Sequence, residues 1–444
     1  MVSWKGMVLK NFWSDIERFE SIAIIVGNKQ ISYKELIKHS DDLVSNIPKH
    51  SLVFNVVGHN SFESIAYYIG LLRKDCVQIL LPKSTPELVI AYSPNYIISN
   101  SVLYDGEPHL HILHPDIALL LTTSGSTGSP KLVRLSHKNL ISNADSIAQY
   151  LKLSSSDRAI TSLPMNYTYG LSIINSHLLS GGSIVVNNKS IMEKDFWESV
   201  KQNSVTSLSG VPYTYQMLEK LDFGSMDLPS LRYMTQAGGK LGDKLHTKFA
   251  RICHKKSIDF YPMYGQTEAT ARMTYLPPEY ARFAIGSIGQ PIPNGSIWLT
   301  NSGELVYRGD NVSMGYAEGV EDLALGDVND GILYTGDLAI QDSFGFYKII
   351  GRKKRFLKLF GNRVNLDEIE QAIHSLGYDC AATGVDDYMT VWVVQKVKTD
   401  LSAISNLLVK DLGLNPSGHN IRYIESIPRN ESGKVIYSNL GGLT

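Results

Sequence analysis

The residues best suited to chemistry form one short polar stretch, TTSGSTGSPK, directly after the leucines at 119–121. Glycines let a backbone turn tightly against a ligand, and hydroxyl and N–H groups supply donors for anionic oxygens. A flexible Ser/Gly surface connection is the alternative interpretation. Because the stretch is short, follows an apolar strand and ends in Pro-Lys, it predicts a polyphosphate-binding loop, although the Walker A spacing is absent. The candidate phosphate-binding residues are Thr122, Thr123, Ser124, Gly125, Ser126, Thr127, Gly128 and Lys131.

A second compact polar turn, YGQTE, follows the strand-like segment IDFYPM. The Glu268 carboxylate is a candidate Mg²⁺ ligand beside phosphates, and the Thr267 hydroxyl can reach a phosphate oxygen. Tyr264 presents a flat aromatic face that suits a purine ring. An ordinary hairpin with a solvated glutamate explains the same residues, and the short motif alone leaves both interpretations open.

Three further residues stand out by type and context. Asp337, in YTGDLA, is an acid in an apolar segment and therefore needs a partner, for which a sugar diol is one candidate. Arg352 can reach the same ribose or a phosphate, whereas an internal Asp–Arg ion pair is the alternative. Lys434 follows Gly433 in a loop that can carry its ammonium into a cleft, although most lysines near a terminus are simply solvated.

The elements around these residues predict an α/β fold. Alternating apolar runs and amphipathic helices fill the N-terminal part, and three strands after residue 205 each end in a polar or glycine-rich loop. Ser136 is expected to cap a helix in which His137 and Lys138 are first-turn surface residues. From about Ile285, short strands and turns predict a small β-rich subdomain, and a small α+β domain follows. The predicted domains are 1–351 and 352–444.

Bulk composition excludes several classes of protein. The chain of 444 residues has 42 Lys and Arg against 43 Asp and Glu, which argues against nucleic acid or an anionic membrane as its main partner. Three widely spaced cysteines support neither a disulfide framework nor a zinc site. The sequence contains no spanning apolar run and no signal-peptide pattern, so the cytoplasm is the expected compartment.

Taken together, these motifs resemble the adenylate-forming superfamily of acyl- and aryl-CoA synthetases, luciferases and nonribosomal peptide synthetase adenylation domains. TTSGSTGSPK, YGQTE, GELVYRG, YTGDLA, GRKKRFLKLFGNRVNLDEIE and SGK occur in the family's order, from about residue 115 to the end. The resemblance implies a large N-terminal domain and a small mobile C-terminal domain. It also implies that ATP activates a carboxylic acid as an acyl-adenylate with release of pyrophosphate, before transfer to a thiol of CoA or of a carrier protein's phosphopantetheine.

The resemblance also implies a role for each candidate residue. Residues 122–131 would hold the β,γ-phosphates, Glu268 the Mg²⁺ ion and Thr267 the α-phosphate. Asp337 and Arg352 would bind the ribose, and adenine would lie on Tyr264 beside Gln236 to Gly239, including Gly238. Lys434 would bridge the substrate carboxylate and the phosphate, and the small domain would swing about a hinge at Lys354 to present the Gly361 loop to the thiol.

The implied acyl pocket departs from the family pattern. An Asp pairs with the substrate ammonium in α-amino acid enzymes, but this chain has Thr168, which favours a neutral acyl or aryl acid. Leu132 replaces the usual glycine after Lys131 and is expected to limit how the loop folds back on ATP. The remaining alternatives are a non-catalytic nucleotide or acyl-AMP binding module, and a ligase whose acceptor is an amine or hydroxyl. The pocket residues are Tyr167, Tyr169, Gly170, Ile173, Val211, Gly239, Gly265 and Met273, to which Tyr213 and Arg272 could add a polar contact.

Overall fold

The computed structural model describes residues 11–122, 131–353, 355–360, 362–394, 401–429 and 435–440. The chain folds into two compact units. Unit 1 comprises Met1–Ile297 and Tyr307–Leu333, and unit 2 comprises Trp298–Val306 and Tyr334–Thr444. The division into domains 1–351 and 352–444 stays a prediction.

The strands are short, mostly three to six residues. The first twelve are β1 (Ile22–Val26), β2 (Lys29–Ser32), β3 (Leu52–Val56), β4 (Val77–Leu81), β5 (Tyr96–Ser99), β6 (Val102–Asp105), β7 (Ile117–Thr122), β8 (Leu132–Ser136), β9 (Arg158–Ile160), β10 (Ser183–Val186), β11 (Ser207–Gly210) and β12 (Tyr233–Gln236). The others are β13 (Asp259–Tyr264), β14 (Thr274–Tyr275), β15 (Gln290–Pro291), β16 (Ser296–Leu299), β17 (Glu304–Arg308), β18 (Gly315–Ala317), β19 (Ile332–Gln341), β20 (Tyr347–Arg352), β21 (Phe356–Leu359), β22 (Asn362–Asn365), β23 (Cys380–Val385), β24 (Tyr388–Val394) and β25 (His419–Ile424).

The helices alternate with the strands through most of unit 1. They are α1 (Phe12–Asp15), α2 (Tyr33–Leu43), α3 (Phe62–Arg73), α4 (Pro86–Tyr92), α5 (His137–Leu151), α6 (Thr168–Leu179), α7 (Lys194–Gln202), α8 (Pro212–Lys220), α9 (Asp243–Lys255), α10 (Leu366–Ser375) and α11 (Ser402–Asn406). A π-helical turn, Leu407–Asp411, continues α11. None of the helices within the described ranges combines the length and hydropathy that a membrane crossing requires.

Helix α5 begins as its sequence predicts, with one exception. Ser136 caps it in a reciprocal capping box with Asn139, which satisfies donors of the first turn. Lys138 is exposed as expected. The prediction is wrong for His137, which is half-buried with its ring centroid 5.4 Å from that of Trp13. An aromatic ring at the start of a helix can thus serve the core as readily as the surface.

Unit 1 contains two large sheets. One has nine strands in the order β15–β14–β13–β12–β11–β9–β10–β1–β2, and the other has seven in the order β18–β8–β7–β4–β3–β5–β6. Strands β3, β4 and β7 are parallel and fully or largely buried. This burial explains why they read as largely apolar runs, interrupted by Asn55 and Gln78, rather than as alternating ones. The helices cover the sheets, and their apolar residues join the main core.

Unit 2 has its own hydrophobic core. Strands β23, β24 and β25 form one sheet, β21 and β22 pair as a ribbon, and a four-stranded sheet has the order β16–β17–β19–β20. Helix α10 buries Ile369 and Ile373 in a core that includes Val391 and Val393 of β24. Strand pairs β21–β22 and β23–β24 are antiparallel, whereas β24 and β25 are parallel. Together with α10 and α11 they fit the α+β domain predicted for this region.

Candidate active site

Three of the strands predicted to end in functional loops are neighbours in one sheet. Strands β11, β12 and β13 are parallel, and their register places Gly210 beside Gln236 and Gln236 beside Pro262. The loops that follow therefore leave the same edge of the sheet. Ligands in α/β folds bind at this carboxyl edge. The strand periodicity thus predicts correctly which loops come together.

The phosphate-loop candidates lie on a connection between antiparallel strands. Thr122 ends β7 and pairs with Leu132 at the start of β8. The predicted residues Thr123, Ser124, Gly125, Ser126, Thr127 and Gly128 lie outside the described residues. Leu132 is fully buried with Leu120, Met314 and Ala317. Its side chain therefore belongs to the core of the sheet, which explains a leucine where the family has glycine.

Lys131 and Glu268 both contact Tyr316, a residue that sequence reasoning missed. The Lys131 ammonium lies 4.3 Å from the centroid of the Tyr316 ring, and the Tyr316 hydroxyl donates to Glu268 Oε1 at 2.8 Å. Lys131 also lies 3.9 Å from Glu318 Oε1. The predicted phosphate-binding lysine and the predicted Mg²⁺ ligand are thereby joined through one aromatic side chain.

The position of Tyr316 follows from strand pairing. Strand β18 runs antiparallel to β8, so that Tyr316 pairs with Val133 next to the phosphate-loop connection. Burial raises the pKa of the Tyr316 hydroxyl, and the neighbouring Glu268 charge raises it further. The hydroxyl is therefore protonated at neutral pH and can donate to the carboxylate. Nothing in the sequence spacing links a tyrosine in a three-residue strand to a glutamate 48 positions earlier.

The turn that carries Thr267 and Glu268 is held by its neighbours. It is a 3₁₀ turn within the hairpin of β13 and β14, as the alternative interpretation of YGQTE predicted. The Ser313 N–H donates to the Glu268 carbonyl at 2.9 Å, and the Asn311 amide donates to the Ala269 carbonyl at 2.8 Å. The backbone is thus fixed while the Glu268 side chain remains only half-buried. A hairpin can therefore still present the Glu268 carboxylate to a ligand, as the first interpretation of this turn predicts.

The predicted adenine site has an ordered glycine loop. Gln236 is 3% exposed, and its amide donates to the Gly239 carbonyl at 2.8 Å, which fixes the loop after β12. Gly238 has a φ of 81°, a conformation that favours glycine. Tyr264 is half-buried at the end of β13, and its hydroxyl accepts from the Gln266 amide at 3.1 Å.

Two of the predicted acyl-pocket residues, Tyr167 and Val211, lie beside Gly238 of the predicted adenine site. A Cβ at Gly238 would lie 2.5 Å from Tyr167 Oη and 3.0 Å from Val211 Cγ1. Two others, Gly170 and Gly265, are glycines that the neighbouring backbone requires. A Cβ at Gly170 would lie 2.2 Å from the Pro164 carbonyl oxygen, and one at Gly265 would lie 1.6 Å from the Ala271 carbonyl oxygen. These two glycines therefore have a packing reason for being glycine.

Several other pocket candidates have clear places in the fold. Tyr169 is buried in α6, and its hydroxyl lies 2.8 Å from Thr235 Oγ1. Ile173 is buried in the main core, whereas Met273 packs in a small cluster with Tyr307 and Val312. Tyr213 is half-exposed on α8. Gly239 is exposed, and a Cβ there would lie 3.2 Å from the Pro212 ring.

Arg272 is the most unusual residue of the group. It is 1% exposed, and its guanidinium carbon lies 3.9 Å from the centroid of the Tyr169 ring. Its Nε and Nη1 atoms have no hydrogen-bond partner among the described residues. The sequence suggested a polar contact from this residue but gave no sign that its charge would be buried.

Unit 2 carries Asp337 and Arg352 on neighbouring strands. The two residues are directly opposite in the β19–β20 register, and Arg352 Nε lies 3.4 Å from Asp337 Oδ1. Asp337 is buried, whereas the Arg352 side chain is 61% exposed. The structure thus contains the ion pair that was the alternative interpretation, and it leaves much of the arginine open to a ligand. Lys354, Gly361 and Lys434 lie outside the described residues.

The AMP-binding enzyme family matches residues 83–317, more than half of the chain. The chain belongs to this family. It is 29% identical to a sulfoacetate–CoA ligase of Cupriavidus necator over 79% of this chain and 72% of that protein. It is 26% identical to a D-alanine–D-alanyl carrier protein ligase of Staphylococcus haemolyticus, over 79% of each chain.

The AMP-binding enzyme also has close structural neighbours. It superposes on the O-succinylbenzoate coenzyme A synthetase of Bacillus subtilis, solved with ATP and magnesium ion, with a TM-score of 0.80. The sequence identity is 20%, and the alignment covers 97% of this chain and 99% of that one. The predicted superfamily and the predicted fold class are confirmed.

Proposed function

We propose that this AMP-binding enzyme is an AMP-forming acid–thiol ligase. It activates a small carboxylic acid with ATP as an acyl-adenylate, releases pyrophosphate, and transfers the acyl group to a thiol. The observation that carries the proposal is the convergence of Lys131 and Glu268 on Tyr316 beside the 122–131 connection. Lys131 precedes a strand of the seven-stranded sheet, and Glu268 lies between two strands of the nine-stranded sheet. A cation and a carboxylate that meet at one side chain between these strands suit a nucleoside triphosphate with its magnesium ion.

The residues present fit a magnesium ion bound together with ATP. Within the part of the chain that the structure describes, no group of three or more His, Cys, Asp or Glu side chains could hold a metal ion by itself. Mg²⁺ is commonly held by one or two carboxylates together with substrate phosphates and water. Glu268 supplies such a carboxylate, with one oxygen oriented by Tyr316. Bound Mg²⁺ would neutralise phosphate charge there.

Each remaining site residue has a proposed role. Thr267 contacts the α-phosphate, Asp337 and Arg352 bind the ribose, and Tyr264 stacks on adenine beside the Gly238–Gly239 loop. Lys434 opposes the charge that builds as the substrate carboxylate attacks the α-phosphate. The region 352–444 acts as a mobile small domain that turns about Lys354 between the two half-reactions.

The thiol acceptor is coenzyme A or the phosphopantetheine of a carrier protein. Similarity to the sulfoacetate–CoA ligase supports coenzyme A. Similarity to the D-alanine–D-alanyl carrier protein ligase supports a carrier protein. Free α-amino acids are poor candidates for the substrate, because Thr168 stands at the first position of α6 where an acid would pair with the ammonium.

An acid-dependent exchange of labelled pyrophosphate into ATP tests the adenylation step. The proposal expects exchange with some members of a panel of short-chain, hydroxy, aryl and long-chain acids, and none without acid. Adding CoA or a loaded carrier protein should then give a thioester detectable by mass. A product formed only with an amine or a hydroxyl compound would show that the acceptor is one of these groups and not a thiol. ATP binding without exchange across the whole panel would favour a non-catalytic nucleotide-binding module.

A further inference from the structure

Arg272 carries a buried charge that no group among the described residues neutralises. The residue is 1% exposed, and within this part of the chain its Nε and Nη1 atoms have no hydrogen-bond partner. No carboxylate among the described residues forms an ion pair with it. A buried charge without a partner is strongly destabilising. The cation–π contact with the Tyr169 ring offsets only part of that cost.

Arg134 shows how this chain treats an arginine that serves structure alone. It is also fully buried, but its Nε donates to the Tyr316 carbonyl, its Nη1 to the Leu325 carbonyl and its Nη2 to the Met314 carbonyl. Every nitrogen of that guanidinium therefore has an acceptor. Arg272 lacks such a set, so its donors are available to a molecule that enters from outside the chain.

The backbone holds Arg272 in place at a cost. Ala271, the preceding residue, has a φ of 131°, and Thr270 has a φ of 58°. Such conformations are unfavourable for non-glycine residues and persist where the surroundings impose them. The Asn143 and Asn311 amides both donate to the Arg272 carbonyl, at 3.0 and 2.8 Å. The segment is thus anchored so that the side chain projects into the interior.

The guanidinium lies against the acyl-pocket residues. It packs on the Tyr169 ring, whose centroid is 6.2 Å from that of Tyr167. Tyr167 in turn meets Val211 and Gly238. The titratable groups whose pKa responds to the Arg272 charge are the hydroxyls of Tyr150, Tyr167 and Tyr169, which burial keeps protonated and neutral. Within the part of the chain that the structure describes, the neighbouring groups therefore supply aromatic faces and hydroxyls but no anion.

We propose that Arg272 binds a second anionic group of the acid substrate, so that the preferred acids are dianions with a carboxylate or sulfonate besides the reacting carboxylate. The proposal rests on the proposed function, because it assigns the substrate class of the same pocket. It replaces the neutral acyl or aryl acid expected from Thr168 with an acid that carries a second negative charge. The planar guanidinium matches a carboxylate or sulfonate through paired N–H donors. The second anion supplies the missing counter-charge, and the aromatic rings hold the segment between the two acidic groups.

Matched acid pairs test this assignment. Succinate is compared with butyrate, and terephthalate with p-toluate, because each pair exchanges a carboxylate for a methyl group. We expect kcat/KM for pyrophosphate exchange to favour at least one dianion over its methyl partner by about 10-fold or more in the wild-type protein. In Arg272→Met the dianion should lose about 100-fold while the methyl acid is retained, since an unpaired buried anion is costly. Arg272→Lys should keep part of the preference.

Thermal unfolding separates substrate binding from structural damage. Arg272→Met should leave Tm unchanged or raise it, because it removes an unpaired buried charge and keeps the volume. Arg134→Met, the matched control, should lower Tm and leave the ratio between paired acids unchanged. Dianions should also raise the Tm of the wild-type protein but not that of Arg272→Met, whether or not the enzyme turns over.

These experiments distinguish failure of the Arg272 assignment from failure of the proposed ligase function. Exchange that favours the methyl acids, or an acid ratio that Arg272→Met leaves unchanged, overturns the assignment of Arg272 while the ligase function stands. A dianion-dependent Tm shift without exchange by any acid supports the assignment and overturns the ligase function. A large fall in Tm for Arg272→Met would make the residue a structural one.

Discussion

The Tyr316 hydroxyl donates a 2.8 Å hydrogen bond to Glu268 Oε1, and this single contact orients the carboxylate proposed to hold magnesium. Partners of metal ligands commonly fix the ligand's orientation, and their loss typically weakens metal affinity 10- to 100-fold. The same ring lies under the Lys131 ammonium. Tyr316 therefore links the proposed Mg²⁺ ligand, Glu268, to the proposed phosphate-binding residue, Lys131, without itself being assigned a contact to Mg²⁺ or to ATP.

Tyr316→Phe should raise the Mg²⁺ concentration for half-maximal pyrophosphate exchange by about 10-fold, because it removes the hydrogen bond and keeps the ring under Lys131. Mg²⁺ titrations of the exchange rate measure this effect. Tyr104→Phe is the control, because Tyr104 is about as exposed as Tyr316. It lies on β6, at the opposite edge of the seven-stranded sheet from the strand that carries Tyr316. A Tyr316→Phe titration that matches the wild type would remove Tyr316 from the metal site.

Leu132→Ala should lower the free energy of unfolding by about 2–5 kcal/mol, because it opens a cavity in a fully buried cluster with Leu120 and Met314. Denaturant unfolding measures the change. Leu110→Ala, at a leucine that is 98% exposed, should change it by less than about 0.5 kcal/mol. The role first expected for Leu132 was control of loop movement. If Leu132→Ala changes ATP affinity but not the free energy of unfolding, Leu132 controls loop movement after all.

Asp337→Asn should raise the KM for ATP by about 10-fold if Asp337 binds the ribose as proposed. Lys353→Ala breaks a comparable ion pair of unit 2, in which Nζ lies 3.0 Å from Glu304 Oε2, and should leave this KM unchanged. The partner Arg352 is largely exposed, so its pair with Asp337 is worth at most about 1 kcal/mol of stability. An unchanged KM for ATP in Asp337→Asn would show that Asp337 pairs with Arg352 but does not bind the ribose.

Acid should destabilise the protein through His177. Its Nδ1–H donates to the Ile173 carbonyl at 2.8 Å, and its Nε2 accepts from the Tyr233 hydroxyl at 3.0 Å. Burial lowers the pKa of this ring, opposed in part by Asp157 and reinforced by Arg232. The unfolded chain therefore takes up a proton below about pH 6.5 that the folded state refuses, which costs up to about 1.4 kcal/mol per pH unit.

Unfolding measured at pH 7.5 and 5.5 checks this prediction. The free energy of unfolding should fall between the two values in the wild-type protein and fall less in His177→Gln, which cannot take up the proton. Above pH 6.5 both proteins should show little dependence from this position. Equal losses in the two proteins would show that His177 does not control the acid response.

Local patterns predict much of the fold and some of the site. The apolar run before the predicted phosphate loop is β7, and the capping residue of α5 is Ser136. Asp337 and Arg352 are fifteen residues apart and prove to be cross-strand neighbours. These successes share one cause, because each depends on residues that are close in sequence or joined by one turn.

The missed features depend on contacts between distant segments. Tyr316 reaches Glu268 only because β18 pairs with β8, and Leu132 is a core residue only because β8 packs beside β7. The isolation of the Arg272 charge depends on the absence of an ion-paired acid among the described residues, most of which are distant in sequence. No periodicity or spacing within the sequence encodes such absences, whereas the folded structure makes them visible.

The central claim, acid activation as an adenylate with Lys434 at the reacting carboxylate, is tested most directly by pyrophosphate exchange in Lys434→Ala. With an acid that supports exchange in the wild-type protein, we expect the variant to lose two or more orders of magnitude, about 3 kcal/mol of transition-state stabilisation. Lys358→Ala, at an exposed lysine of β21, should keep the wild-type rate. Exchange in Lys434→Ala at the wild-type rate, or no acid-dependent exchange in the wild-type protein, would contradict the account.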